Sequence, residues 1–197
     1  MTNAPLRVLA VVGTLQRDST TSVVIEHVAA GLREGACEVD IIDFKKEPLA
    51  LFDPDTAHRL TGYVELQRRV EQADVIILAT PDYHGSVSGA TKNFLDHFWR
   101  EFAGKLFGII VASPEKGLTV IDQLRTVARQ CYAWTLPYGL AFTNETDVTG
   151  GKVASEPFRK RLEMMIRDVR VYGSLLAQQR RADLSATEPG FLAHYRK

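Results

Sequence analysis

An apolar, β-branched run that breaks into a turn and then turns helical constrains this chain more than any other stretch. Residues 75–80 (VIILAT) carry no charge, residues 81–89 include Pro81, Gly85, Ser86 and Gly89, and a helical pattern follows. A strand with no polar alternation is buried on both faces, the condition of a strand inside a parallel sheet. The turn after it therefore lies at a carboxyl end, where open α/β sheets bind ligands.

The same alternation runs through the chain. Residues 7–12, 38–44, 75–80, 106–112 and 138–142 read as five strands, and residues 23–32, 61–71, 90–101, 118–133 and 156–176 as five helices. Parallel strands need crossover connections, so this alternation predicts a sheet covered by helices on both faces, a three-layer α/β sandwich forming one domain over residues 1–197. Two strand orders compete. In the order 2-1-3-4-5 the switch point falls between the first and third strands, and turns 13–21 and 81–89 meet there. Those two turns also carry the most chemistry, which favours that order. The segment 45–55 has an apolar middle between Pro48 and Pro54 and is long for a connection; it is placed to cover a site or to pack on a second subunit.

Turn 13–21 holds Thr14, Ser19, Thr20 and Thr21 at the start of a helix, where unpaired N–H groups and the helix dipole favour an anion. Helix capping by Ser19 or Thr20 explains the same residues equally well. A P-loop is excluded because Asp18, Ser19 and Thr20 stand where Gly-Lys-Ser/Thr is needed, and a dinucleotide fingerprint would need more glycines after Gly13.

Charge and cysteine content remove other classes. The formal net charge is +0, which gives no electrostatic basis for binding nucleic acid or an anionic membrane. Cys37 and Cys131 are far apart and form no C-x-x-C, so both are expected to be buried thiols. The histidines are scattered and give no metal-ligand spacing. No apolar run reaches the length of a membrane span and the N-terminus shows no signal region, so the expected location is cytoplasmic. Lys92 and Asp96 are spaced as a helical i,i+4 pair, Glu163 is spaced to offset Arg159 and Arg167 on a solvated face, and Phe98 and Trp99 suit either a core or an interface.

Pro81, Tyr83, Gly85, Ser86, Gly89, Lys92, Asn93 and Asp96, in that spacing after a first strand and a Gly-Thr…Ser loop, resemble the NAD(P)H-dependent FMN reductase family. The likeness runs over residues 7–176 in order and spacing, and it implies a flavodoxin-like fold with a five-stranded parallel sheet. It also implies that FMN is the cofactor and NADPH or NADH the co-substrate. By the resemblance, Thr14, Ser19, Thr20 and Thr21 hold the FMN phosphate, with Arg17 reaching either that phosphate or the 2′-phosphate of NADPH. Pro81, Asp82, Tyr83, His84, Gly85 and Ser86 border the isoalloxazine ring, and the turn holding Ser113, Lys116 and Gly117 closes its far edge.

A flat slot with nearby backbone N–H groups suits a flavin, which gains charge on reduction and carries the hydride chemistry at its own N5, so no catalytic side chain is required. The expected activity is hydride transfer from NAD(P)H to FMN and on to a small-molecule acceptor: free flavin for a flavin-dependent monooxygenase, a quinone, an azo compound or a metal oxyanion. An FMN-dependent dehydrogenase of a biosynthetic intermediate is the alternative. A flavodoxin-type electron carrier is disfavoured because the chain is neutral rather than strongly acidic. The resemblance further implies a homodimer or homotetramer.

Overall fold

The computed structural model describes residues 4–196; the parts of the N-terminal and domain readings that fall on residues 1–3 and 197 lie outside it. Strands β1 (Arg7–Val12), β2 (Glu38–Asp43), β3 (Val75–Tyr83) and β5 (Leu106–Ala112) are parallel in the spatial order β2-β1-β3-β5, and β4 (Ser86–Val87) forms an antiparallel hairpin with the end of β3. β3 as far as Thr80 and all of β5 are buried, as continuous apolar runs predict, whereas the edge strand β2 alternates.

The outer position beside β5 is shared by two short parallel strands, β6 (Trp134–Thr135) and β7 (Leu140–Phe142). Taken together they are the fifth strand, and the order is the expected 2-1-3-4-5. The strand divides because Pro137 has no N–H for the ladder.

Helices α1 (Thr20–Glu34) and α6 (Glu156–Ser185) cover one face, while α2 (Tyr63–Gln72), α3 (Gly89–Asp96) and α4 (Leu118–Gln130) cover the other. The period of two in β1 sorts its side chains accordingly: Val8, Ala10 and Val12 pack towards α1 and α6, Leu9 and Val11 towards the other three. A chain of aromatic contacts through Phe94, Phe98, Phe102 and Phe107, with centroids 5.2 to 6.0 Å apart, fills the second face. Phe98 is thus a core residue and Trp99 an exposed one. A short helix α5 (Asn144–Asp147) and a hairpin of β8 (Val148–Thr149) and β9 (Lys152–Val153) precede α6.

Three helix ends differ from the periodicity. α3 stops at Asp96 rather than 101, and the chain turns so that Phe98 and Phe102 enter the core. α4 stops at Gln130 rather than 133, where Tyr132 takes a positive φ of 55°. α6 continues to Ser185, nine residues past the apolar pattern, because polar contacts hold its last turns: Arg180 donates to the Ala103 carbonyl at 2.8 Å and Arg181 pairs with Asp74 at 2.9 Å. On the same helix Arg159 pairs with Glu156 and Arg167 with Asp168, so Glu163 is not the partner that its spacing suggested. Lys92 and Asp96 do pair, at 2.5 Å.

Lys105 is fully buried at the start of β5. Its ammonium donates to the carbonyls of Val70, Glu71 and Ala73, closing the C-terminal end of α2, where a cation is favoured. Burial pushes its pKa down to about 7, with Arg180 adding to the effect and Asp74, Glu71 and Glu101 opposing it. Cys37 and Cys131 are both buried and free, and burial raises both thiols. No helix among the described residues is long and apolar enough to cross a membrane.

Candidate functional site

Because β1 and β3 are neighbours, the turns that follow them are joined directly. Gly13 donates its N–H to the Ala79 carbonyl at 2.7 Å, and its own carbonyl accepts from the Ser88 hydroxyl and, at 3.3 Å, from the Thr91 hydroxyl. Ser88 caps α3 by accepting the Thr91 N–H at 3.1 Å, and the buried Thr80 hydroxyl oxygen accepts the Ser88 N–H at 3.2 Å. A Cβ on Gly13 would stand 1.9 Å from Thr91 Oγ1 and 2.9 Å from the Ala79 oxygen. The position therefore accepts only glycine, for reasons of space rather than of φ.

Beyond Gly13 the first loop leaves donors free. Among the described residues, the N–H groups of Thr14, Leu15, Arg17, Asp18, Ser19 and Thr20 have no protein acceptor. Ser19 is the α1 N-cap and accepts the Thr21 N–H at 3.1 Å, and Thr14 Oγ1 accepts the Gln16 N–H at 3.2 Å. Thr14, Ser19 and Thr21 are buried, whereas Thr20 donates to Asn144 Oδ1 at 2.7 Å and Arg17 is exposed. Capping and a free donor row thus coexist, and the two readings of this loop do not compete. The first turns of α1 and α4 hold no acidic residue, which keeps the positive helix ends uncompensated at this pole of the sheet. Ser19→Ala is expected to lower stability by about 1 kcal/mol through the lost cap while leaving the free N–H row intact; chemical denaturation checks this.

The second loop is a tight hairpin. Asp82 faces Val87 and Tyr83 faces Ser86 across it, with His84 and Gly85 at φ values of 58° and 75°, the left-handed pair of a two-residue turn. Asp82 binds it from both sides, accepting the Gly85 N–H at 2.8 Å and the Ser113 hydroxyl at 2.9 Å. Ser113 also accepts the Glu115 N–H at 3.1 Å, and Lys116 and Gly117 both have positive φ. Pro81 lies within β3 opposite Ala112. The side chains of Asp82 and Ser113 therefore tie one loop to another and Ser86 ties the hairpin to α4, while Tyr83 stays 49% exposed and His84 is exposed as well.

Two residues at this site make contacts that the sequence did not indicate. Gln123, on α4, accepts from the Ser86 hydroxyl at 3.1 Å and the Val87 N–H at 3.2 Å and donates to the Gly85 carbonyl at 3.3 Å. Asn93 accepts the Phe52 N–H at 2.7 Å and donates to the Ala50 carbonyl at 2.9 Å, pinning segment 45–55 to α3 and leaving Leu51 84% exposed. Asn93 lay in the recognised motif, but its target did not follow from spacing. Gln123 reads as one polar residue on an amphipathic helix.

A cleft of about 440 Å³ opens between the two loops, lined by Thr14, Leu15, Gln16, Tyr83, Gly89 and Ala90, with Ser88 at its base. Apolar side chains stand exposed at this end of the sheet, Leu15 at 57% in the cleft with Tyr83 and Leu118 at 65% at the start of α4. A row of free N–H donors fits a phosphate, and exposed apolar and aromatic groups fit a flat ring. Together with the strand order, these features define a flavodoxin-like fold with a candidate cleft at its switch point.

The comparisons with known proteins agree. The family model described as NADPH-dependent FMN reductase matches residues 6–147, and the chain belongs to that family. It is accordingly an enzyme, an FMN-dependent NAD(P)H oxidoreductase. It is 28% identical over 152 residues to an FMN-dependent NADPH-azoreductase of Staphylococcus haemolyticus, covering 71% of this chain and 77% of the relative. The enzyme of the same name from Staphylococcus aureus strain USA300 matches to the same extent. Among solved structures, the apo form of the NADH:FMN oxidoreductase EMOB aligns with a TM-score of 0.70 at 22% identity, covering 85% of this chain and 89% of that one. FerB, a flavoenzyme NAD(P)H:(acceptor) oxidoreductase from Paracoccus denitrificans, aligns at 0.70 with 21% identity, covering 88% and 98%. At these identities the two structures establish the shared fold.

Proposed function

We propose that the free N–H row of residues 14–20 holds the FMN phosphate and that the hairpin 83–86 and the turn 113–117 flank the isoalloxazine. The reducing equivalents of NADPH then leave for a small, planar, oxidised acceptor of the quinone or azo class. The observation that carries this reading is the unpaired donor row that begins at Thr14 and Leu15, two residues lining a cleft whose other wall includes Tyr83. When bound, FMN supplies two-electron hydride acceptance and donation. The chain's residues have three tasks. The loop N–H groups and the α1 dipole neutralise phosphate charge, with Arg17 free to add a side-chain contact from the exposed rim. Tyr83, Leu15 and Leu118 offer apolar surface for stacked rings. The Asp82–Ser113 bond and the bonds of Gln123 to Gly85, Ser86 and Val87 hold the hairpin in place, so that positioning rather than proton transfer is the protein's contribution.

The enzyme is taken as one FMN-binding domain acting in the cytoplasm as a homodimer or homotetramer. The exposed Leu51 on the pinned segment 45–55 supports subunit contact near the site. Electron delivery through free flavin to a monooxygenase partner belongs to the same reading. Apoprotein reconstituted with FMN is expected to turn yellow and to oxidise NADPH with a quinone or azo dye as acceptor, and to run as a dimer or larger on light scattering. Protein that binds FMN but oxidises neither NADPH nor NADH would overturn the activity; a monomer at working concentration would overturn the assembly.

A further inference from the structure

The polar groups of the ring-side hairpin are occupied from within the protein, and one residue occupies most of them. Gly85 gives its N–H to Asp82, and the Gly85 carbonyl, the Ser86 hydroxyl and the Val87 N–H all go to the carboxamide of Gln123. Both ends of that amide are used, the oxygen twice as acceptor and the nitrogen once as donor. Only an amide meets this demand, because the hairpin presents two donors and one acceptor within reach of one side chain. Gly117, the last residue of turn 113–117, is the N-cap of α4. Gln123 therefore ties the ring-side hairpin to α4, the helix that follows turn 113–117, and the Asp82–Ser113 bond ties the end of β3 to that turn.

We propose that Gln123 is the positioning residue of the flavin slot: its carboxamide sets the spacing and register of hairpin 83–86 against α4, and so fixes where Tyr83 and the hairpin main chain meet the cofactor. This rests on the ring placement given under Proposed function. Gln123 itself need not touch the flavin. A loose wall weakens cofactor binding and misaligns the hydride path, since displacements of about 1 Å cost up to about a hundredfold in rate.

Gln123→Leu removes both halves of the clamp. In FMN-free protein the Val87 amide is expected to exchange about tenfold faster, corresponding to loss of about one hydrogen bond. FMN affinity is expected to fall about tenfold, and kcat for NADPH oxidation to fall more than KM rises. Gln123→Glu keeps the two acceptor bonds and loses the donor to Gly85. It should retain Val87 protection and most of the FMN affinity, and it should shift the flavin midpoint potential to more negative values because the added charge opposes reduction. That potential shift and the rescue by Glu are not produced by a residue that only stabilises α4.

Unchanged Val87 exchange in Gln123→Leu overturns the clamp. Equal loss of FMN affinity in the two variants, or an unmoved potential in Gln123→Glu, overturns the positioning role. If wild-type protein fails to bind FMN, the proposed function falls, while the exchange measurement on FMN-free protein still decides the clamp. Should Gln123→Leu fail to fold, Gln123→Glu alone decides through its potential and its Val87 protection.

Discussion

Gly13→Ala is expected to abolish most FMN binding and to lower folding stability by about 3 kcal/mol. The added methyl meets two groups that cannot both retreat. Thr91 Oγ1, 1.9 Å away, is held at the start of α3 by its contacts with Ser88 and the Gly13 carbonyl, and the Ala79 oxygen is main chain inside β3. Relief requires the loop after β1 to lift, which breaks the Gly13–Ala79 bond and the joint acceptance by the Gly13 carbonyl together. The free N–H row begins at the next residue, so its aim moves with the loop. A shift of about 1 Å carries an N–H beyond hydrogen-bonding distance of a phosphate oxygen. Flavin titration and urea unfolding of the same preparation measure both effects, and near-normal values for both would show that the two turns are not rigidly joined.

Lys105→Met is expected to cost about 3 kcal/mol or more in stability with no change in FMN affinity per folded molecule. Methionine fills similar volume but leaves the carbonyls of Val70, Glu71 and Ala73 buried without their donor. These groups sit at the amino ends of the strands, the opposite pole from the cleft. Lys105→Arg should restore little, because a planar fork does not match three acceptors gathered around a point charge. Urea unfolding reads the loss, and FMN titration below the unfolding transition checks that the site is intact. Together the two variants separate residues that build the site from residues that hold the fold.

The strands of the sheet were legible because burial on both faces leaves an unmistakable apolar run, as in residues 75–80 and 106–112. The pairing of the two site turns followed from one of two possible strand orders, favoured because those turns carry the most chemistry, and the sheet joins β1 to β3 as expected. The hairpin at His84 and Gly85 was harder to see: β4 has two residues, too few for any periodicity, and a histidine rather than a glycine takes the first left-handed position. The Pro137 break and the end of α6 were missed for different reasons. A proline interrupts a strand only where its N–H would have been needed, and the last turns of α6 dock through Arg180 and Arg181 rather than an apolar stripe.

The alternation of strand and helix patterns along the chain determined the layer architecture, and residues 75–96 with the loop after residue 12 pointed to the switch point and the family, because periodicity and turn chemistry are local properties of a chain. Only the tertiary structure decided what each polar atom does there. Asp82 and Ser113 turned out to join the loops, the main chain of residues 14–20 other than Gln16 to offer the free donors, and Gln123, far along the chain, to hold the hairpin through Ser86 and its neighbours. Hydrogen bonds between segments 30 to 80 residues apart depend on where folding places both partners, and neither partner carries a record of the other in its own sequence neighbourhood.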